Sequence, residues 1–312
     1  MTSRNTVRQL WSRYERIHAV TYFSAESAAA ATEAGYRGFW MGYFAQRAAP
    51  LGAVGPAVVT ACFFGFHRSR VERALPDAWR LAGPERALAA RLDGVDRTLR
   101  RVWGDSLIAS GTVREAADLL WTAAQAADTA GRVLGAANQA LPRPGSPHLA
   151  LWQATATLRE HRGDGHVAAL VAAGVDPLGA SLIKIAAGDA DGAGLRRGRG
   201  WPGTDWAAAE ARMIDRGWLD EAGRLTAAGR DIHDDIERRT DDAATSPWIA
   251  LGPARTARVG EVLAVLVAPI VDAGVIPARN PIGVPLPRAP IGAGEHGVLI
   301  SAGRPGWPRH RR

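Results

Sequence analysis

The feature that most narrows the fold is the apolar spacing. Hydrophobic residues recur at helical intervals along nearly the whole chain, and no segment sustains the alternation of a half-buried strand. Pro56, Pro84, Pro147 and Pro177 stand where a first helical residue would, a position whose N–H has no helical partner, and Gly35, Gly174, Gly188 and Gly217 stand where helices stop. Thr112 and Glu115 have the spacing of a capping box. The pattern predicts helices over 6–19, 25–34, 38–48, 56–66, 84–103, 113–127, 130–140, 148–161, 165–173, 177–187, 204–216, 227–243 and 254–273. The expected class is all-α.

The 312 residues carry 38 Lys and Arg against 31 Asp and Glu, and Lys184 is the one lysine. An arginine bias beside abundant Ala and Gly is the mark of a GC-rich gene, so the net charge alone does not define a DNA-binding face. Arg304, Arg309, Arg311 and Arg312 gather at the end, and 288–312 reads as a disordered basic tail. Cys62 is the single cysteine; it excludes an intramolecular disulfide and reads as core filler. Arg4, Arg8 and Arg13 open the chain without an apolar signal core, and the apolar runs are short or broken by Glu261 and Asp272. A cytoplasmic protein with no membrane partner is expected.

Three prolines in Leu141–Pro147 mark the expected domain boundary. It separates an N-terminal helical domain (1–141) from a unit over 148–245, followed by a helix and extended segment (246–287). The glycine-rich stretch 188–203, with Arg196, Arg197 and Arg199, reads as a loop.

Within the second unit, a helix ends at Asp215-Arg216-Gly217-Trp218-Leu219, and Leu225-Thr226-Ala227-Ala228-Gly229-Arg230 opens a long polar helix capped by Thr226. This sequence resembles the recognition helix, wing and following helix of MarR-type winged-helix regulators. The resemblance implies a winged-helix-like domain that binds operator DNA as a homodimer. Only 220–224 remain for the wing, which is vestigial and net acidic. The reading helix offers Asp205, Glu210 and Asp215 against Arg212 and Arg216, whereas base edges are read mainly by Arg, Lys, Asn and Gln. DNA contact is therefore expected through phosphates, from Arg196, Arg197, Arg199, Arg212 and Arg216.

Over about 7–287 the chain also resembles an actinobacterial helix-turn-helix family of unsettled activity. The stretches that carry this are 18–23, 37–52, 158–170, 237–241 and 280–283, which include His18-Ala-Val-Thr-Tyr22-Phe23 and Leu158-Arg-Glu-His161-Arg-Gly-Asp164-Gly-His166.

His161 and His166 bracket Asp164 at what reads as a glycine break between two helices. A metal site is conceivable there, but Asp164 capping the next helix is the simpler reading, and no metal is expected. No HExxH, P-loop, GxSxG or GxGxxG pattern is present, so no cofactor is expected and catalysis stays open. The aromatic set Tyr22, Phe23, Phe39, Trp40, Tyr43, Phe44, Phe63, Phe64 and Phe66 fits a core, or an apolar pocket with polar tips. His18, Tyr22, Arg47, Arg159, His161, Asp164 and His166 are the candidate ligand contacts, for an apolar or anionic small molecule. Two functions follow from this reading: a ligand-responsive regulator, or a small-molecule-binding or catalytic protein that keeps the scaffold without binding DNA.

Overall fold

The computed structural model describes residues 3–284. It is all-α, and the one β-contact among the described residues is an isolated antiparallel bridge between Leu219 and Leu225. The expected tail at 288–312 and the end of the 246–287 segment lie outside the described residues.

Sixteen α-helices run among the described residues: α1 (Arg4–Phe23), α2 (Ala25–Glu33), α3 (Gly38–Ala48), α4 (Pro56–Phe63), α5 (Arg68–Glu72), α6 (Asp77–Leu81), α7 (Pro84–Ile108) and α8 (Gly111–Gln125), then α9 (Val133–Gln139), α10 (Pro147–Ala172), α11 (Pro177–Ala186), α12 (Gly192–Arg199), α13 (Gly203–Asp215), α14 (Ala227–Ala243), α15 (Ser246–Leu251) and α16 (Pro253–Asp272). Their starts follow the sequence. Ser3, Ser24, Asp176 and Thr226 each accept a hydrogen bond from a first-turn N–H, and Pro56, Pro84, Pro147 and Pro177 all open helices. The expected box at Thr112 and Glu115 is corrected: Ser110 caps α8, while Glu115 pairs with Arg258.

The largest core joins α1, α7, α8, α10, α15 and α16 through Leu10, Ile17, Leu99, Leu120, Trp152, Leu158, Trp248 and Leu263. A second, aromatic core gathers Phe44, Phe63, Phe66 and Leu75 from the α3–α6 region against the start of α7. A third cluster, Leu178, Leu182, Trp206, Ala209, Met213 and Leu219, holds α11 against α13. The division expected at 141–147 falls between α9 and α10. Its prolines turn α9 into α10, and α10 belongs to both sides: Trp152 and Leu158 lie in the large core, while Ala169 and Leu170 pack with Ile183 and Ile236.

Two expectations about local structure are overturned. Residues 161–166 lie inside one continuous helix, so no helix begins after Asp164. The stretch 188–203 is not all loop, because α12 forms within it and docks on the bundle: His67 donates its N–H to the Arg199 carbonyl at 2.9 Å, and Trp201 Nε1 donates to the Gly65 carbonyl at 3.0 Å.

Candidate ligand cavities and helix-turn-helix surface

Two hollows flank α10. The larger, about 830 Å³, lies between α1, α2, α3 and the middle of α10. Phe23, Ala28, Ala31, Phe39, Tyr43 and Ala156 give it apolar walls, and His18, Tyr22, Gln46, Arg47, Arg91, Asn138 and Glu160 give it polar groups. The smaller, about 230 Å³, lies between the bundle and α11–α12, where Glu15, Arg47, Arg159, Asp164 and His166 meet Lys184 and Arg199.

A buried ion-pair chain forms the wall between them. Arg47 on α3 grips Glu160 on α10 with two bonds, Nε to Oε1 at 2.8 Å and Nη2 to Oε2 at 2.9 Å. Arg159 donates Nη1 to the same Glu160 at 2.7 Å and reaches Glu15 at 3.5 Å. Burial alone would push the Glu160 carboxyl up, but Arg159 and Arg47 outweigh it and hold it well below the usual carboxylate range. Glu15 lacks that double pairing, and burial raises it. Desolvation lowers Lys184 and Arg199, and among the described residues no acidic side chain hydrogen-bonds either; Lys184 Nζ donates to the Ile282 carbonyl at 3.0 Å, and the Arg199 guanidinium lies 4.3 Å from the Phe66 ring centre.

The candidate ligand residues divide among these environments. His18 and Tyr22 share a 3.1 Å hydrogen bond in the large cavity, Arg47 touches both hollows, and Arg159, Asp164 and His166 line the small one. His161 lines neither. It is buried against α9, with its Cα about 3.0 Å from where a side chain at Gly135 would begin, and burial lowers its imidazole to about 4. Asp164 caps a helix, though not the one expected: Oδ2 accepts the Gly135 N–H at the start of α9 at 2.8 Å, and burial raises it to about 6. His166 turns to Thr240 at 2.9 Å. The candidate ligand contacts are therefore divided between two hollows, with His161 in neither.

Glu15, Gln46, Arg91, Asn138, Glu160 and Lys184 were not legible as site residues. A lone polar residue on an amphipathic helix has the same sequence signature as a solvated one. Lys184 alone carried a signal, as the one lysine in an arginine-rich chain.

α11 packs against α13 through Leu178, Leu182, Trp206, Ala209 and Met213, and α13 exposes Ala207, Ala208, Ala211 and Arg212. A family model described as a helix-turn-helix family matches residues 7–277. This chain belongs to the helix-turn-helix family. No curated protein and no solved structure matches it in the other two comparisons.

The five arginines expected on the helix-turn-helix surface do not form one face. Arg199 is half-buried and lines the small cavity. Arg196 pairs with Glu210, Arg212 Nη2 donates to Asp176 at 2.8 Å, and Arg216 Nη1 donates to the Gly174 carbonyl at 2.8 Å. Arg197 is exposed. Asp220 and Arg224 close the short turn beyond α13 with a 2.9 Å ion pair. No single helix among the described residues is long and apolar enough to cross a membrane.

Proposed function

We propose that this chain is a ligand-responsive transcription regulator of MarR-like, winged-helix type, in which the state of the helical bundle sets the placement of the α11–α13 unit on DNA. The observation that carries this reading is the Glu160 network. Glu160 and Arg47 line the large cavity, and Arg47, Arg159 and Glu15 line the small one opposite Lys184 of α11 and Arg199 of α12. A ligand that disturbs either side of this wall changes the charges facing the helix-turn-helix unit, which supplies the differential contact that allosteric coupling requires.

DNA affinity comes from phosphate contacts by Arg196, Arg197, Arg212 and Arg216, with weak sequence preference, because the exposed alanines of α13 offer no donors to base edges. The experiment is a titration of duplex DNA from the protein's own upstream region at low salt, with native mass spectrometry of the same sample to report a homodimer and any co-purified small molecule. Binding that weakens steeply with salt supports the regulator.

A second reading, a small-molecule-binding or catalytic protein that no longer binds DNA, draws support from the pairing of Arg196 with Glu210 and of Arg212 with Asp176. Phosphates would have to compete with carboxylates already in place. No DNA binding even at low salt, with a ligand retained in the mass spectrum, decides for it.

A further inference from the structure

We infer that Lys184 is an imine-forming amine and that the small cavity takes a small α-oxo acid, joined through its ketone to Lys184 and held through its carboxylate by Arg199. The site is independent of DNA binding and of the large cavity, and goes beyond the regulator reading.

Composition gives the first observation. Among 38 Lys and Arg, the chain meets its need for positive charge with arginine at every position but one. The exception lines an internal hollow: Lys184, on α11, borders the small cavity together with Glu15, Arg159 and Arg199. What lysine offers there and arginine does not is an amine that sheds its proton and becomes a nucleophile, since a guanidinium stays charged. The surroundings favour the uncharged form. Lys184 Nζ donates to the Ile282 carbonyl at 3.0 Å, a bond that an amine makes as well as an ammonium, and among the described residues no acidic side chain hydrogen-bonds it to hold the proton. Desolvation accordingly lowers the ammonium by more than the charge of Glu237 raises it.

The substrate class follows from the other lining groups. Arg47, Arg159 and Arg162 each pair with a carboxylate, whereas the Arg199 guanidinium lies against the Phe66 ring and, among the described residues, hydrogen-bonds no acidic side chain. A partly desolvated guanidinium of that kind favours an incoming carboxylate. The cavity, about 230 Å³, is below the range of drug-sized sites, so the substrate is small. A ketone beside a carboxylate answers Lys184 and Arg199 together in the fewest atoms. In the covalent step the Nζ lone pair attacks the ketone carbon, an N–C bond forms as the C=O bond breaks, and both amine protons depart with the ketone oxygen as water, so no oxidant or reductant is needed. Glu15, whose carboxyl is raised by burial, lines the same hollow and supplies the proton that lets the oxygen leave.

The test is reductive trapping of the full chain at neutral pH with 2-oxobutyrate and sodium cyanoborohydride, read by intact mass and peptide mapping, with the uncharged 2-oxobutyramide as control. Because Lys184 is the one lysine, a lysine adduct can only be there. An ordinary lysine, with a pKa of about 10.4, is a far poorer nucleophile near neutrality than an α-amine at about 7.7–8.0. The folded chain is expected to be labelled on Lys184 at least about tenfold faster than on its α-amine, and the chain unfolded in guanidinium chloride to show the reverse order. The acid is expected to label Lys184 at least about tenfold faster than the amide, and Arg199→Met to erase that preference. Should Arg199→Met fail to fold, the comparisons of acid with amide and of folded with unfolded chain need no variant. Labelling confined to the α-amine, the same order in folded and unfolded chains, equal trapping of acid and amide, or an acid preference that survives Arg199→Met overturns the inference.

Discussion

Arg47 and Glu160, 113 residues apart, meet in a two-bond ion pair whose members are 11% and 3% exposed at the side chain. The pair joins α3 to α10, and Arg159 shares its carboxylate. Desolvating three charges is unfavourable unless each stays paired, so the network rests on Glu160. Glu160→Gln is expected to leave the buried Arg47 unneutralised and Arg159 with Glu15 alone, and to lower unfolding stability by about 3–5 kcal/mol. Asp242→Asn, at the exposed Arg4 pair, should leave the urea midpoint nearly unchanged. Similar small losses for both would show that the network contributes nothing special.

Stability should depend on pH through two imidazoles. Burial holds His161 and His166 near 4, against 6.5 when free, so the unfolded chain binds more protons between those values. Their contribution is complete above about pH 6.5 and is lost as pH falls toward 4. Asp164 acts in the opposite direction, since a carboxyl raised to about 6 takes up its proton earlier in the folded state and recovers part of the loss below pH 6. His18, also lowered by burial, adds to the loss, while Glu15, raised by burial, and His233, raised by its hydrogen bond to Asp189, offset part of it. Urea midpoints measured from pH 7 to 4 should fall, and His161→Leu should flatten the fall; an unchanged slope in the variant contradicts this assignment.

Gly94 is where α7 crosses α2. A Cβ there would lie 2.6 Å from Ser27 Cα, a backbone atom that cannot turn aside. Gly94→Ala is expected to push the helices apart, cost about 1–3 kcal/mol and disturb the cavity wall that Ser27 helps to form. A thermal melt and a ligand titration check both effects, and an unchanged melting temperature counts against the close packing described.

Arg197 is an exposed arginine of α12, beside Arg196, which pairs with Glu210. Arg197→Ala should weaken binding to every duplex by a similar factor and reduce the slope of log K against log salt by roughly 0.9, as one lost phosphate contact does. A loss confined to one sequence would instead mean base readout.

The sequence made the elements more legible than the site. Helices 38–48 and 227–243 match in full, because Gly38 and the Thr226 cap mark their starts plainly. Glycines misled where they serve close approach rather than helix termination. Gly165 sits inside α10 because a Cβ there would lie 2.6 Å from Arg132 Nη1 and 3.0 Å from Ala243 Cβ. Its presence suggested a helix break that does not exist, and with it a metal or anion site. α12 was missed for a related reason: four glycines from Gly192 to Gly200 argue against a helix, and docking on 65–70 holds one there. Spacing among aromatic residues singles out His18, Tyr22 and Arg47, which line the large cavity. It does not reach Arg91 and Glu160, because the contacts that bury them come from helices distant in sequence.

The most direct test of the coupling between the Glu160 network and the helix-turn-helix unit is fluorescence anisotropy of a labelled upstream duplex at low salt, titrated with the wild-type chain and with Arg47→Gln, which breaks the Glu160 pair without touching α11–α13. The account predicts that the wild-type chain binds the duplex and that the substitution changes its Kd at least about fivefold, the scale of ordinary allosteric coupling. A Kd that is the same for both chains, or a duplex that is never bound, contradicts it.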